Sequence, residues 1–166
     1  MRCRECEAEM TEIRGDYLYD GAGVEVLLKN IPVYECPNGH RLPAIPNIRG
    51  LHEAMAEWLL EKPGRLSGAE VKFLRKHMRL KSAELAALLG ISKQRMSQLE
   101  NGVATPSKQT TRLVRAIYAL RVIDLGENAE RAARVAKKAL PHATESPRRD
   151  QSLRVTPEGD WELNAA

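Results

Sequence analysis

The stretch that decides the fold reads Ser82-Ala-Glu-Leu-Ala-Ala-Leu-Leu-Gly-Ile-Ser-Lys-Gln-Arg-Met-Ser-Gln-Leu99. Ala86 is a small residue where two short helices would cross, and Gly90 follows where the turn between them needs a positive φ. The apolar positions recur where both helices would face one core: Leu85, Leu89, Ile91, Met96 and Leu99. The pattern predicts a helix-turn-helix; the alternative is an ordinary helical hairpin with a polar outer face.

The outer face of the second predicted helix is polar and includes Lys93, Gln94, Arg95, Ser97 and Gln98. Such a face is typical of a recognition helix that lies in the major groove of double-stranded DNA. Glutamine pairs bidentately with adenine, so Gln94 and Gln98 are the expected base-reading residues. Phosphates or flanking bases are the expected partners of the remaining three. The predicted DNA-binding set also includes two residues at the start of the first helix, Lys81 and Ser82.

The charge distribution favours the same function. The chain has a net charge of +4, but residues 65–125 hold 12 Lys or Arg and 4 Asp or Glu, a net of +8. Residues 1–64 hold 7 basic and 11 acidic side chains, a net of −4, so DNA should repel this part. We expect no membrane span and no secretory signal, and therefore a cytoplasmic protein. The sequence also lacks the paired groups or phosphate loop of an enzyme.

Three cysteines and one histidine have the spacing of a metal site. Cys3 and Cys6 are two residues apart, and Cys36 is followed by His40. A Cys₃His set is an accepted ligand set for structural zinc, and a crosslink would stabilise a segment too short to bury a large core. The sequence predicts one structural Zn²⁺ bound by these four residues. Free thiols in a site that has lost its metal are the alternative.

The predicted fold class is α+β, with a small β-rich zinc-binding module followed by an all-α domain of about five helices. Glycines within residues 20–23 indicate a hairpin, and Pro32 restricts a further strand, residues 31–36, to an edge or a start. A helix capped by Asn47 follows, and a capping box begins another at Ser67. The predicted domains are residues 1–62 for zinc and partner binding, 65–125 for DNA binding and dimerisation, and 126–166. The last is expected to comprise a helix, a flexible linker from Pro141 and a small hairpin over residues 153–163.

Residues 1–122 resemble the MqsA-type antitoxins, a family with a YgiT-type zinc finger and a phage-repressor or Cro-like helix-turn-helix. The resemblance rests on the Cys3–Cys6 start, on Tyr34-Glu35-Cys36 in the second half of the zinc module, and on Ser82–Gly102. It implies a homodimer that binds a palindromic operator, represses its own operon and neutralises a ribonuclease-type toxin. It also implies that Gln94 and Gln98 reach the bases. A stand-alone zinc-containing transcriptional regulator without a toxin partner is the alternative.

A dimer is also expected because one recognition helix reads only a few base pairs. The helices after Thr105 carry more apolar side chains than one small core needs: Leu113, Ile117, Tyr118, Leu120 and Val122. These predict the dimer contact, unless they merely complete the core of the monomer.

Overall fold

A computed structural model describes residues 1–21, 23–124, 129–139, 152–156 and 159–163. Within these ranges the protein is α+β, with an N-terminal β-sheet and six helices, which confirms the predicted fold class. The chain divides into two compact units. The first contains Met1–Gly21, Glu25–Ala54 and the strands after residue 151, and the second contains the chain from Met55 to the last helix. The linker predicted from Pro141 lies outside the described residues.

The sheet of the first unit is built around an antiparallel hairpin. Strands β1 (Thr11–Tyr19) and β2 (Val26–Glu35) pair, and Gly23 has a φ of +74° in the predicted turn between them. A short third strand, β3 (Arg41–Pro43), pairs with the end of β2. The hairpin prediction is confirmed for the described residues.

The prediction that Pro32 limits a separate strand to an edge or a start is wrong, because Pro32 lies inside the continuous strand β2. Its carbonyl accepts a hydrogen bond from the N–H of Ala44 at 2.9 Å. The ring nitrogen of Pro32 points to the same side of β2 as this carbonyl. Pro32 lies just outside the β2–β3 pairing, so its missing N–H costs that pairing no hydrogen bond.

The C-terminal residues return to this sheet. Strand β4 (Ser152–Val155) runs parallel to β2, with Leu28 opposite Leu153, and β5 (Trp161–Leu163) runs antiparallel to β4. The hairpin predicted over residues 153–163 is therefore present. Its pairing with the N-terminal sheet was not predicted. The indole N–H of Trp161 donates to the carbonyl of Asn47 at 2.9 Å.

Helix starts follow the capping signals in the sequence. The side chain of Asn47 accepts from the N–H of Gly50 at 2.8 Å and begins α1 (Ile48–Glu61). Ser67 and Glu70 form the predicted capping box of α2 (Gly68–His77). The remaining helices are α3 (Ser82–Leu88), α4 (Lys93–Glu100), α5 (Lys108–Asp124) and α6 (Ala129–Ala139).

The core of the second unit is mainly aliphatic. Its fully buried side chains include Val71, Leu74, Leu85, Met96, Val114 and Tyr118. Among the apolar positions of the quoted stretch, Leu85, Met96 and Leu99 are buried, whereas Leu89 and Ile91 are partly buried. In the described part of the chain, every helix is too short or too polar to cross a membrane.

Candidate nucleic-acid interface and metal site

The turn between α3 and α4 depends on Gly90. Its φ is +66°, its N–H donates to the carbonyl of Ala87 at 3.1 Å, and the N–H of Ile91 donates to Ala86 at 3.0 Å. These two bonds satisfy the last carbonyls of α3 and reverse the chain. Ala86 is buried, and the side chain of Ser92 caps the start of α4 by accepting from the N–H of Arg95. The predicted small residue and turn glycine therefore have the expected environments.

The predicted DNA-binding residues are largely accessible. Along α4 the exposed residues are Lys93, Gln94, Arg95 and Ser97, and Gln98 is half-buried. The hydroxyl of Ser97 accepts a hydrogen bond from the side chain of Asn101 at 3.3 Å. At the start of α3, Lys81 is exposed and Ser82 is half-buried. The predicted DNA-binding residues thus lie on the polar face of α4 and at the start of α3.

A buried ion pair that was not predicted from the sequence fixes the end of α4. Arg75 on α2 binds the carboxylate of Glu100 through two nitrogens, with Nε–Oε1 at 2.5 Å and Nη2–Oε2 at 3.1 Å. Both side chains are about nine-tenths buried. Arg75 also donates to the carbonyl of Leu80 at 2.8 Å. Since Arg75 and Glu100 lie on different helices, their local spacing gives no signal of the contact.

The four predicted metal ligands lie together in the first unit. The ligand atoms of Cys3, Cys6, Cys36 and His40 are all within 4.8 Å of one another. The sulfurs of Cys6 and Cys36 are 3.6 Å apart, and Nδ1 of His40 is 3.5 Å from the sulfurs of Cys3 and Cys36. In a tetrahedral centre with Zn–S bonds of about 2.3 Å, two sulfurs are about 3.8 Å apart. The arrangement therefore has the right size and donor set for a metal ion.

Two tight turns place these ligands. In the first, the N–H of Cys3 donates to Ala8 at 2.9 Å and the N–H of Glu7 donates to Cys3 at 2.9 Å. In the second, the N–H of Gly39 donates to Cys36 at 2.9 Å, and Gly39 has a φ of +82° that brings the chain round to the histidine. Met10 and the buried cysteines pack into a small apolar cluster beside the site.

The electrostatics of the site favour a thiolate at Cys6. The backbone N–H of Ala8 is the main cause that lowers the pKa of Cys6 to about 6, and the side chains of Asn38 and His40 add to the effect. Metals bind the thiolate form of cysteine, so a lowered pKa reduces the proton competition at neutral pH.

Part of the chain matches a known protein family. No curated protein matches the chain. Residues 71–114 match the helix-turn-helix family model, a segment that begins in α2 and ends in the first turns of α5. The match does not include the metal-site segment, and the resemblance to the MqsA-type antitoxins stays a prediction. Residues 71–114 form a helix-turn-helix domain, the DNA-binding domain of a transcription regulator.

Proposed function

We propose that this protein is a homodimeric transcriptional repressor that acts in the cytoplasm and reads a palindromic operator through α4. The observation that carries the proposal is the exposed polar face of α4 on a helix-turn-helix domain. Gln94 and Gln98 read bases, whereas Lys93, Arg95, Ser97, Lys81 and Ser82 bind phosphates or flanking positions. We propose residues 65–125 for this role and residues 1–62 for metal and partner binding.

Binding to an operator selected from genomic DNA tests the readout. Because a bidentate contact discriminates between bases, Gln98→Ala should cost about 1–3 kcal/mol on the operator and little on random DNA. Electrophoretic mobility shifts at fixed salt measure both. Equal losses on the two duplexes would show that Gln98 contacts only the backbone. A wild-type protein that binds neither duplex would contradict the proposed function.

The metal site is proposed to hold one structural Zn²⁺. Three thiolates and one imidazole leave a tetrahedral ion without an open position, which is the pattern of a structural rather than a catalytic site. Elemental analysis of the purified protein should find about one zinc per chain. His40→Ala should lower the retention of zinc in a chelator. Retention equal to the wild type would show that the fourth ligand is another group.

The dimer is proposed to form through an apolar stripe on α5, defined by Leu113, Ile117 and Leu120. Leu113 and Leu120 are 48% and 64% exposed and lie on one helix face with the partly buried Ile117. Two other residues of the predicted contact, Tyr118 and Val122, are buried inside the unit and complete its core. The remaining stripe fits a second copy, because two-fold operators need two recognition helices.

Sedimentation velocity tests the dimer. Leu120→Glu should convert the protein to a monomer, since two carboxylates would be buried in the contact. Val103→Glu is the matched control, because Val103 is 77% exposed outside the stripe and should leave the dimer intact. A dimer that survives Leu120→Glu would place the contact elsewhere.

We further propose that the protein is the antitoxin of a ribonuclease-type toxin. The net charge of −4 over residues 1–64 supports this role, because a ribonuclease carries basic surface for RNA. The test uses the full chain, since a fragment of residues 1–64 would lack strands β4 and β5. We expect the adjacent gene to encode the toxin, and a Gln94→Ala and Gln98→Ala double variant should still relieve the growth arrest that its product causes. A protein that represses its promoter but neither binds nor protects against that product would be a stand-alone regulator.

A further inference from the structure

Arg79, in the turn between α2 and α3, has a backbone conformation that favours glycine. Its φ is +57°. The N–H of Arg79 donates to Lys76 at 3.0 Å, and the N–H of Leu80 donates to Arg75 at 3.1 Å. These two hydrogen bonds are typical of a helix C-terminus at which one residue has a left-handed conformation. That residue is usually glycine. The chain does place glycine in the turns that end α3 and α4, where Gly90 and Gly102 have positive φ. Arg79 is therefore an exception to the pattern of its own domain.

The side chain of Arg79 does not explain this exception through contacts within the protein. It is exposed, and in the described part of the chain it forms no ion pair or hydrogen bond. By contrast, Arg75 is bound to Glu100, and Arg115 donates to the carbonyls of Leu59 and Lys62. A strained backbone at an exposed cation indicates that the side chain binds another molecule.

The position of the turn indicates that partner. The guanidinium of Arg75 binds both the carbonyl of Leu80 and the carboxylate of Glu100, so the turn lies beside the C-terminal end of α4. The exposed side chains of Lys76 and Lys81 flank it in sequence. In a helix-turn-helix, the helix before the recognition helix crosses the sugar-phosphate backbone, and this turn leads directly into that helix.

We propose that Arg79 binds a DNA phosphate, an inference that rests on the proposed DNA binding of α4. A guanidinium donates two parallel N–H bonds to a phosphate and keeps its charge at every physiological pH. Such a contact fixes the position of the protein on the duplex without reading its sequence. Arginine at a positive φ destabilises the turn, and its contact with the phosphate strengthens DNA binding.

The experiment measures the affinity of the full-length protein for a random-sequence duplex over a range of salt concentrations. Arg79→Gln and Arg79→Gly both remove one cation per subunit and so two per proposed dimer. The magnitude of the slope of log K against log salt should therefore fall by about 1.8, and affinity at about 0.15 M salt should fall roughly 30-fold. Arg79→Lys keeps the charge and should retain most of the affinity. Arg79→Gly should also raise the thermal midpoint by about 4 °C, whereas Arg79→Gln should not. DNA affinity would then depend on the charge at position 79, whereas the thermal midpoint would depend on the backbone preference of the residue there.

Arg49→Gln is the control for loss of a positive charge, because Arg49 is 78% exposed in the first unit, and its affinity should equal that of the wild type. Unchanged affinity and salt slope in Arg79→Gln, with a wild-type protein that binds DNA, would overturn the inference alone. A glycine variant no more stable than the wild type would remove the strain argument and count against it. A wild-type protein that does not bind the duplex would instead overturn the proposed function.

Discussion

Gly68 shows how closely two helices of the second unit approach each other. It is the first residue of α2 and is buried. A Cβ atom on Gly68 would overlap the carbonyl oxygen of Leu99, which is backbone and cannot rotate away. We therefore expect Gly68→Ala to lower the free energy of unfolding by about 2–3 kcal/mol, measured by urea titration.

Gly102→Ala separates this steric effect from backbone strain. Gly102 has a φ of +74°, but a Cβ atom there would meet no other atom within 4 Å. The expected loss is roughly 1–2 kcal/mol, from the left-handed conformation alone. A Gly68→Ala variant as stable as the wild type would show that the two helices can separate without cost.

His52 predicts a pH dependence of the first unit. Its Nε2 lies 2.8 Å from the hydroxyl of Tyr19, and burial lowers the pKa of His52 below its usual value. The unfolded chain then binds a proton more readily than the folded one. The contribution of neutral His52 to the free energy of unfolding is therefore complete at neutral pH and is lost as the pH falls through the usual histidine range. Between about pH 7.5 and 5, the urea midpoint should fall less in His52→Gln than in the wild type. Identical falls would assign the acid sensitivity to other groups.

At the scale of elements, the sequence predicted those features whose causes lie a few residues apart. The Ser67–Glu70 capping box and Gly90 each act over one helical turn, and both appear at the predicted positions. The grouping of Cys3, Cys6, Cys36 and His40 could also be predicted, because a Cys-x-x-Cys pair together with a nearby cysteine and histidine is typical of a metal site. The Arg75–Glu100 pair could not be predicted, since packing of separate helices decides which charges meet.

Helix α6 likewise appears where the sequence analysis expects a helix, but its attachment to α1 depends on contacts distant in sequence. Glu57, with a side chain 13% exposed, lies 3.7, 3.2 and 3.1 Å from the charged groups of Arg131, Arg134 and Lys138. Burial alone would raise the pKa of Glu57, but the contacts with Lys138 and Arg134 outweigh it and lower the pKa. The carboxylate is therefore ionised at neutral pH and binds α6.

Replacement of this carboxylate should release α6. We expect Glu57→Gln to cost about 2 kcal/mol, which corresponds to roughly 30-fold lower protection of the α6 amides in hydrogen exchange. Glu61→Gln is the matched control on the same helix, because Glu61 is more exposed and contacts only Lys138, at 3.5 Å, in the described chain. Its effect should stay below about 1 kcal/mol. Similar protection in both variants would show that apolar packing, and not Glu57, holds the helix.

At the scale of the whole molecule, the least predictable feature is the return of the C-terminal strands to the N-terminal sheet. Strand β4 has four residues, and its partner β2 lies more than a hundred residues earlier in the chain. Alternating apolar residues can indicate a strand, but they do not specify which distant strand pairs with it. Burial gives the physical reason for the pairing: Leu28 and Leu153, opposite each other in the register, are 0% and 1% exposed.

Trp161 tests whether these strands stabilise the first unit. The side chain is 9% exposed, and its indole N–H donates to Asn47, the residue that caps α1. Trp161→Ala should therefore cost about 3–5 kcal/mol and increase the exchange of β2 amides. Glu162→Ala is the matched control in the same strand, because the pair of Glu162 with Arg154 is more than half exposed and contributes little. If exchange in β2 stays at the wild-type rate in Trp161→Ala, the N-terminal strands and their metal site fold without the C-terminal hairpin.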